Sequence, residues 1–442
     1  MKQIKCKIVC MKQRLLVQTQ LSNIVNGKFD LGADSGWQMI INRCREMLKL
    51  NADLYIDVLV PYNDYYDRGL VQLVTSVFDV NPDLWKKYGG ERRLNYIEHK
   101  IVPNALATRY DFCWEEEIYA LGLDDKNNER YDAVYINDPM LLRHYKAMFH
   151  VAGGYQPKFY VHSHFVDVPE CPKFPQEASL WLGQCEAALR ADYNFWQCES
   201  AMNQFFDSMG KWFTQDVVDD VRSKSMPSDD GYSMEEITQP IDKSKLRFSV
   251  DDWRLKTWGK IVLFFPNRIS HSSGDYTNGV NFMFNILPEL RKRRDDFVVV
   301  CGNPNLKFSN DQLLEQCGRN GYVKLHDFTL NRDEYKFVAQ HSNISLGLYN
   351  KDPYGGTASR ECIESGCYPI WLNNFEYASI ANEAGVGEYV LAKPDLSDIV
   401  DVLDERINSY NFEVVKRLQK VVRKRCSYEQ TVPSMMKRMG LL

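Results

Sequence analysis

Apolar strand-like runs alternate with helix-like segments along most of the chain, and this alternation constrains the fold more than any other feature. A strand that returns to its sheet through a helix builds a parallel sheet covered on both faces. "LYIDVLVP" (54–61), "YDAVYIND" (131–138) and "KFYVHSHF" (158–165) read as buried strands ending in polar turns, the last on two histidines. Residues 178–210 read as helix, short strand and helix, closed by Gly210. The second half repeats the logic with "KIVLFFPNR" (260–268), "DFVVVCGNP" (296–304), "YVKLHDF" (322–328), a helix near 331–341, and "ISLGLY" (344–349). A helix from about Thr357 to Ser365 and the strand "YPIWL" (368–372) follow. Between the halves, residues 223–245 are polar and contain Pro and Gly, so they read as a loop or linker. A chain of 442 residues exceeds one ordinary core. The pattern therefore predicts two doubly wound α/β domains facing each other, with ligands at the carboxyl ends of strands in the cleft between them.

Composition excludes several other classes. The start "MKQIKCKIVC" has no apolar signal region, and no run approaches the roughly 18 apolar residues of a membrane span. The 12 cysteines show no C-x-x-C spacing, so they read as reduced thiols of a cytoplasmic protein, not as zinc ligands. A net charge of −5 excludes a globally basic nucleic-acid coat. Two local basic runs, "RKRR" (291–294) and "KRLQKVVRKR" (416–425), read either as phosphate or nucleic-acid patches or as solvated helix faces. Trp37, Trp114, Trp181 and Trp196 read as core residues or as platforms for a base.

One stretch concentrates the chemistry: "DPYGGTASRECIESGCYP" (352–369) follows a strand and opens a helix. Gly355 and Gly356 remove side chains where the backbone approaches a ligand. Thr357 and Ser359 can cap the helix start, whose free N–H groups and dipole favour an anion such as a diphosphate. Glu361 suits the hydroxyls of a ribose, and Asp352 those of a second sugar. Together these describe a nucleotide-sugar site; a glycine-rich turn with surface acids fits the same residues.

The same stretch resembles the E-x7-E region of GT-B glycosyltransferases of the family-4 type. Glu361 matches the second glutamate, ahead of the "GCYP" turn; the first glutamate is missing, and Asp352 lies one residue too far away to match it. "PNR" (266–268) resembles the family's P-x-R, which implies that Arg268 contacts donor phosphates. The usual partner lysine is absent, and Lys351 is its candidate replacement. The resemblance also implies that Gly36, in "GADSGW", lies in a loop near the donor phosphates or acceptor. The tail "CSYEQTVPSMMKRM" is similar to the closing helix that crosses back to the first domain. The implied organisation is an acceptor-side Rossmann-like domain (1–245), a nucleotide-sugar-binding Rossmann-like domain (246–425) and the returning helix (426–442).

A narrower resemblance covers roughly residues 130–380. "YVHSHFVDVPE", "ALRADYNFWQCESAMNQFFDSMGKW" and "ESGCYPIWLNNFEY" are similar to segments of tRNA-queuosine mannosyltransferases. Phage enzymes that glycosylate hydroxymethylated DNA bases share the GT-B architecture. His162 matches the strand-end histidine near the reacting groups, with His164 as second choice and Asp138 as an acceptor-side candidate.

These resemblances imply a retaining glycosyltransferase. It would move a sugar from a UDP- or GDP-sugar to a hydroxyl on a modified nucleobase of DNA or tRNA. It would require no cofactor or metal, and the absence of a D-x-D triplet disfavours a metal-bridged GT-A site. The alternatives are the same chemistry on a glycan, lipid or small molecule, and a catalytically silent GT-B protein that binds nucleic acid.

Overall fold

The structure, a computed structural model, describes residues 12–19, 24–25, 28–29, 35–62, 93–103, 110–112, 114–125, 128–164, 166–170, 178–268, 282–303, 315, 317–325, 330–348 and 356–442. The chain divides into two compact units. Unit 1 comprises the described residues of Met1–Gln197, Phe205–Ser228 and Val432–Leu442; unit 2 comprises those of Cys198–Gln204 and Asp229–Thr431.

The strands, in chain order, are β1 (Gln13–Gln18), β2 (Ile24–Val25), β3 (Lys28–Phe29), β4 (Leu54–Tyr62), β5 (Leu94–Pro103), β6 (Tyr110–Phe112), β7 (Ala133–Ile136), β8 (Lys158–Ser163), β9 (Tyr193–Trp196) and β10 (Ser225–Pro227). They continue with β11 (Ile261–Arg268), β12 (Phe297–Asn303), β13 (Ile344–Gly347), β14 (Tyr368–Leu372) and β15 (Leu391–Ala392). Unit 1 holds an eight-stranded sheet in the order β10-β9-β8-β7-β1-β4-β5-β6, parallel except for β6. Unit 2 holds a five-stranded parallel sheet in the order β12-β11-β13-β14-β15. β2 and β3 form a separate antiparallel pair.

Both sheets are buried on two faces, which is why their strands read as continuous apolar runs. In β11 and β12, Leu263, Phe265, Val299 and Cys301 join one apolar cluster, while the alternate residues Val262, Phe264, Val298 and Val300 join another. In unit 1, Val134, Ile136, Phe159 and Val161 pack on one side, and the alternate Tyr135 and Tyr160 are buried on the other. The described cysteines are free and buried. Among the described residues, no helix is long and apolar enough to cross a membrane.

Three expectations need correction. The segment 223–245 is not a featureless linker: it contains β10 on the sheet edge and the helix Met234–Thr238, capped by Ser233. Its polar residues Ser228, Asp229, Asp230 and Ser233 are buried, so polarity there marks an ionic core and not a solvated loop. Gly36 is not in a loop but is the second residue of the helix Ser35–Leu50. "YVKLHDF" supplies only an isolated bridge, between Tyr322 and Val299, within its described residues.

Candidate functional site

In a parallel sheet, ligands bind at the carboxyl ends of the two strands where the order reverses. In unit 1 that point lies between β1 and β7; in unit 2 it lies between β11 and β13.

The unit 2 point carries the glycine-rich stretch. Arg268 is the last residue of β11, with its backbone in register with Asn303 of β12. β13 ends on Gly347, and its chain leads to Gly356, the N-cap of the helix Thr357–Glu364. Gly356 has φ +87° and ψ 136°, a conformation that residues with a Cβ rarely adopt. No side chain caps this helix. The expected capping by Thr357 and Ser359 is therefore corrected. Both residues stand past the cap position; the Thr357 hydroxyl donates to the Asp230 carbonyl at 3.3 Å. Ser359 is fully buried, and its Oγ has no hydrogen-bond partner. Ser345 Oγ and Trp371 Nε1 are likewise buried and unpartnered. A Cβ built on Gly347 would fall 2.7 Å from Ser359 Oγ and 2.8 Å from Trp371 Nε1, so the bare glycine lets these groups converge. Lys351, Asp352 and Gly355 lie outside the described residues, as does the side chain of Arg268.

Glu361 is 8 % exposed, and both of its carboxylate oxygens accept from Arg332, at 2.7 and 3.0 Å. Arg332 also donates through Nε to Glu236 at 2.6 Å. Burial works against the Arg332 charge, but Glu236 and Glu361 outweigh it and hold the guanidinium more firmly protonated than usual. Asn331 forms a capping box with Glu334, which sets Arg332 as the first residue of the helix Arg332–Gln340. Arg332 was not a candidate from sequence. The available signal was an arginine in the first turn of a helix, where the dipole disfavours a cation unless carboxylates hold it.

Behind the glycine-rich helix lies an ionic cluster. Arg360 is fully buried and donates to the Asp230 carbonyl at 3.3 Å. Glu376 accepts from Ser200 Oγ at 2.8 Å and pairs with Arg425. Burial, and then the neighbouring Glu376 charge, push the Asp229 carboxyl up to about 8, with Arg360 and Arg425 pulling the other way.

The unit 1 point gathers amides and histidines. Gln18, at the end of β1, accepts from the backbone N–H groups of Asn137 and Asp138 at 3.0 and 2.9 Å. Asp138 is 1 % exposed and caps the turn Pro139–Leu141 through the Met140 N–H. His162, fully buried at the end of β8, places Nδ1 3.0 Å from Asn137 Oδ1. His164 is half-buried, with its ring centre 6.4 Å from that of His162. The structure thus brings His162, His164 and Asp138 together at one sheet edge. It adds Gln18, the last residue of β1, and Asn137, which the sequence places in a polar turn after a strand. Trp37, Trp181 and Trp196 belong to the core, and the side chain of Trp114 is outside the described residues.

Most cations of the two basic runs are ion-paired. In the first, Lys292 pairs with Glu289, Arg293 with Asp401, and Arg294 with Asp296 and Asp404, while Arg291 donates to the Asp295 carbonyl. In the second, Lys416 pairs with Glu413, Arg423 with Glu364, Lys424 with Glu383 and Arg425 with Glu376. Among the described residues, Arg417 and Lys420 are the members of that run without a carboxylate partner.

No protein-family model and no curated protein matches the chain. Solved structures do. The Anabaena protein HepE, in complex with UDP, is similar with a TM-score of 0.63 at 12 % identity, covering 97 % of this chain and 100 % of HepE. A second HepE structure holds UDP-glucose. Sucrose-phosphate synthase from Thermosynechococcus elongatus is similar with a TM-score of 0.61 at 10 % identity, covering 96 % of this chain and 98 % of that one. An α,α-trehalose-phosphate synthase (UDP-forming) from Burkholderia xenovorans, in complex with glucose-6-phosphate, gives 0.60 at 9 % identity over 97 % and 100 %. With the two parallel α/β sheets, these likenesses establish the GT-B fold.

Proposed function

We propose that this chain is a retaining glycosyltransferase that passes a sugar from a nucleotide-sugar donor to a hydroxyl. The observation that carries the reading is the uncapped helix start at Gly356 and Thr357, opposite the end of β11 at the unit 2 switch point. The backbone N–H groups of a helix start suit a diphosphate. HepE holds UDP and UDP-glucose, which supports a UDP-sugar as donor here. Arg268, Lys351, Gly355, Gly356, Thr357, Ser359 and Gly36 are assigned to donor binding. Glu361, fixed by Arg332, is assigned to the ribose, Asp352 to the sugar and His162 to the surroundings of the anomeric carbon. Stabilising the leaving diphosphate is then the main catalytic contribution.

For the acceptor we propose a hydroxyl on a modified base of DNA or tRNA, supported by the resemblance of residues 130–380 to base-modifying transferases. His164 and Asp138 stand on that side. A compact acceptor is the second reading, and a specific observation favours it: most cations of both basic runs are tied into ion pairs. The glucose-6-phosphate of the Burkholderia structure points the same way. Calorimetry with UDP-glucose and a donor-hydrolysis assay test the transferase reading; binding without turnover leaves a silent GT-B protein. Mass spectrometry of nucleosides from DNA and tRNA of expressing cells tests the acceptor. A new glycosylated nucleoside supports the base acceptor, and its absence beside an active donor site supports the compact one.

A further inference from the structure

We infer that Asn137 is a positioning residue that fixes His162 as the acceptor of a ligand hydroxyl proton, and that Gln197 supplies a second donor to the same ligand. The identity of that hydroxyl rests on the transferase reading; the positioning does not.

The strand register places these residues in one row. Ile136 pairs with Val161, and His162 pairs with Phe195. Continuing each parallel strand by one residue sets Asn137 beside His162 and, two residues after Phe195, Gln197 beside His164. Side chains alternate along a strand, so Tyr135, Asn137, His162, His164 and Gln197 share one face. Ring centres 6.2 Å apart for Tyr135 and His162, and 6.4 Å apart for His162 and His164, agree with this. The row sits at the carboxyl edge of three adjacent strands, starting at the switch point.

The hydrogen bonds then set the chemistry. A side-chain amide oxygen only accepts, so Nδ1 of His162, 3.0 Å from Asn137 Oδ1, carries the hydrogen. The neutral ring therefore keeps its lone pair on Nε2. The backbone that carries Asn137 is held, because Gln18 accepts from the backbone N–H groups of both Asn137 and Asp138. Its Nδ2 has no hydrogen-bond partner, although Asn137 is fully buried. Gln197 Nε2 is also without a partner at 2 % exposure. Buried amide donors are rarely left unpaired. A donor next to a lone pair matches a group that both accepts and donates, which is a hydroxyl. A carboxylate or phosphate would face the Nε2 lone pair, and an ammonium would leave Asn137 Nδ2 unpaired. The ligand class is therefore a neutral polyhydroxylated group such as a sugar.

Nitrogen-15 spectra of histidine-labelled full-length protein test the positioning, with His162→Gln supplying the assignment. The expected result is an Nδ1-protonated His162 in the wild type, kept in Asn137→Asp and lost in Asn137→Leu. A proton on Nε2 in the wild type, or an unchanged tautomer in Asn137→Leu, overturns the proposal. The Asp variant keeps the test open if the Leu variant fails to fold. For the ligand, UDP-glucose should move the Nε2 resonance, whereas UDP should not. Calorimetric binding of UDP-glucose with an unmoved resonance overturns the hydroxyl contact and leaves a buried water as the row's partner. Absence of UDP-glucose binding defeats the donor reading instead, and the tautomer still decides the role of Asn137. In donor hydrolysis, Asn137→Leu should lower kcat about tenfold or more with little change in KM, while Asn137→Asp retains most activity. Equal losses in the two variants overturn the positioning role.

Discussion

Arg332 holds Glu361 in a fork, Nη2 to Oε1 at 2.7 Å and Nη1 to Oε2 at 3.0 Å. Each carboxylate oxygen keeps a further lone pair, so a carboxylate fixed this way can still accept two ribose hydroxyls. Glu361→Gln should weaken donor binding about ten- to a hundredfold, from a loss on the order of 1.5–3 kcal/mol, while the fold survives. Arg332→Lys keeps the charge but not the fork, and should give a smaller loss in the same direction. Calorimetry with UDP-glucose measures both, and unchanged affinity in Glu361→Gln removes the ribose assignment.

Gly347→Ala tests the convergence beside the glycine-rich helix. The added methyl would press on Trp371 and stand 2.7 Å from Ser359 Oγ. Overpacking of this kind costs about 1–3 kcal/mol. Thermal melts should show the stability loss, and UDP-glucose affinity should fall with it if Ser359 faces the donor. A stability loss with full affinity would move the phosphates away from Ser359.

Asp229 predicts a pH dependence. Its folded pKa of about 8 lies above the ordinary carboxylate value of 3.8, owing to burial and then to Glu376. Between those values the native state holds a proton that the unfolded chain has released. Stability from this group is therefore fully present below pH 3.8 and is lost as pH rises through 8. Asp229→Asn should flatten the decline in Tm from pH 5 to 9. A variant whose melting profile keeps the wild-type slope would assign the proton elsewhere.

Arg417 and Lys420 test the polymer acceptor. They are the cations of the 416–425 run that no carboxylate neutralises among the described residues. If they contact a phosphate backbone, Arg417→Glu with Lys420→Glu should reduce DNA or RNA affinity and lower the salt slope by about 2, near one per contact. Hydrolysis of UDP-glucose should be unaffected. Filter binding at two salt concentrations reads this, and a wild type that retains no nucleic acid removes the base acceptor.

Several strands were legible because burial on both faces forces uninterrupted apolar runs: "YPIWL" became β14 residue for residue, whereas β1 and β5 were not singled out. The helix behind the glycines was legible from its turn residues, and Thr357–Glu364 falls within one residue of the expected end. Electrostatic partners were not legible, because they are distant in the chain. Arg423 meets Glu364 across 59 positions, and no local pattern announces that a basic helix face is already neutralised. Asn137 escaped notice for a related reason. An amide after a strand reads as a turn residue until the neighbouring strand shows which histidine it faces.

The division of the chain has a consequence for synthesis. Most of unit 1 precedes unit 2 in the chain, yet unit 1 also takes Val432–Leu442, which follows every residue of unit 2. The Tyr160 hydroxyl, the Gln13 amide and the Asn51 amide donate to the carbonyls of Met439, Gly440 and Leu441. On the ribosome these donors wait for their acceptors, whereas most of unit 2 is one continuous stretch that can close by itself. The first-made half is therefore the last to be completed, and a chain released after Thr431 would carry every residue of the second unit joined to an unsealed first one.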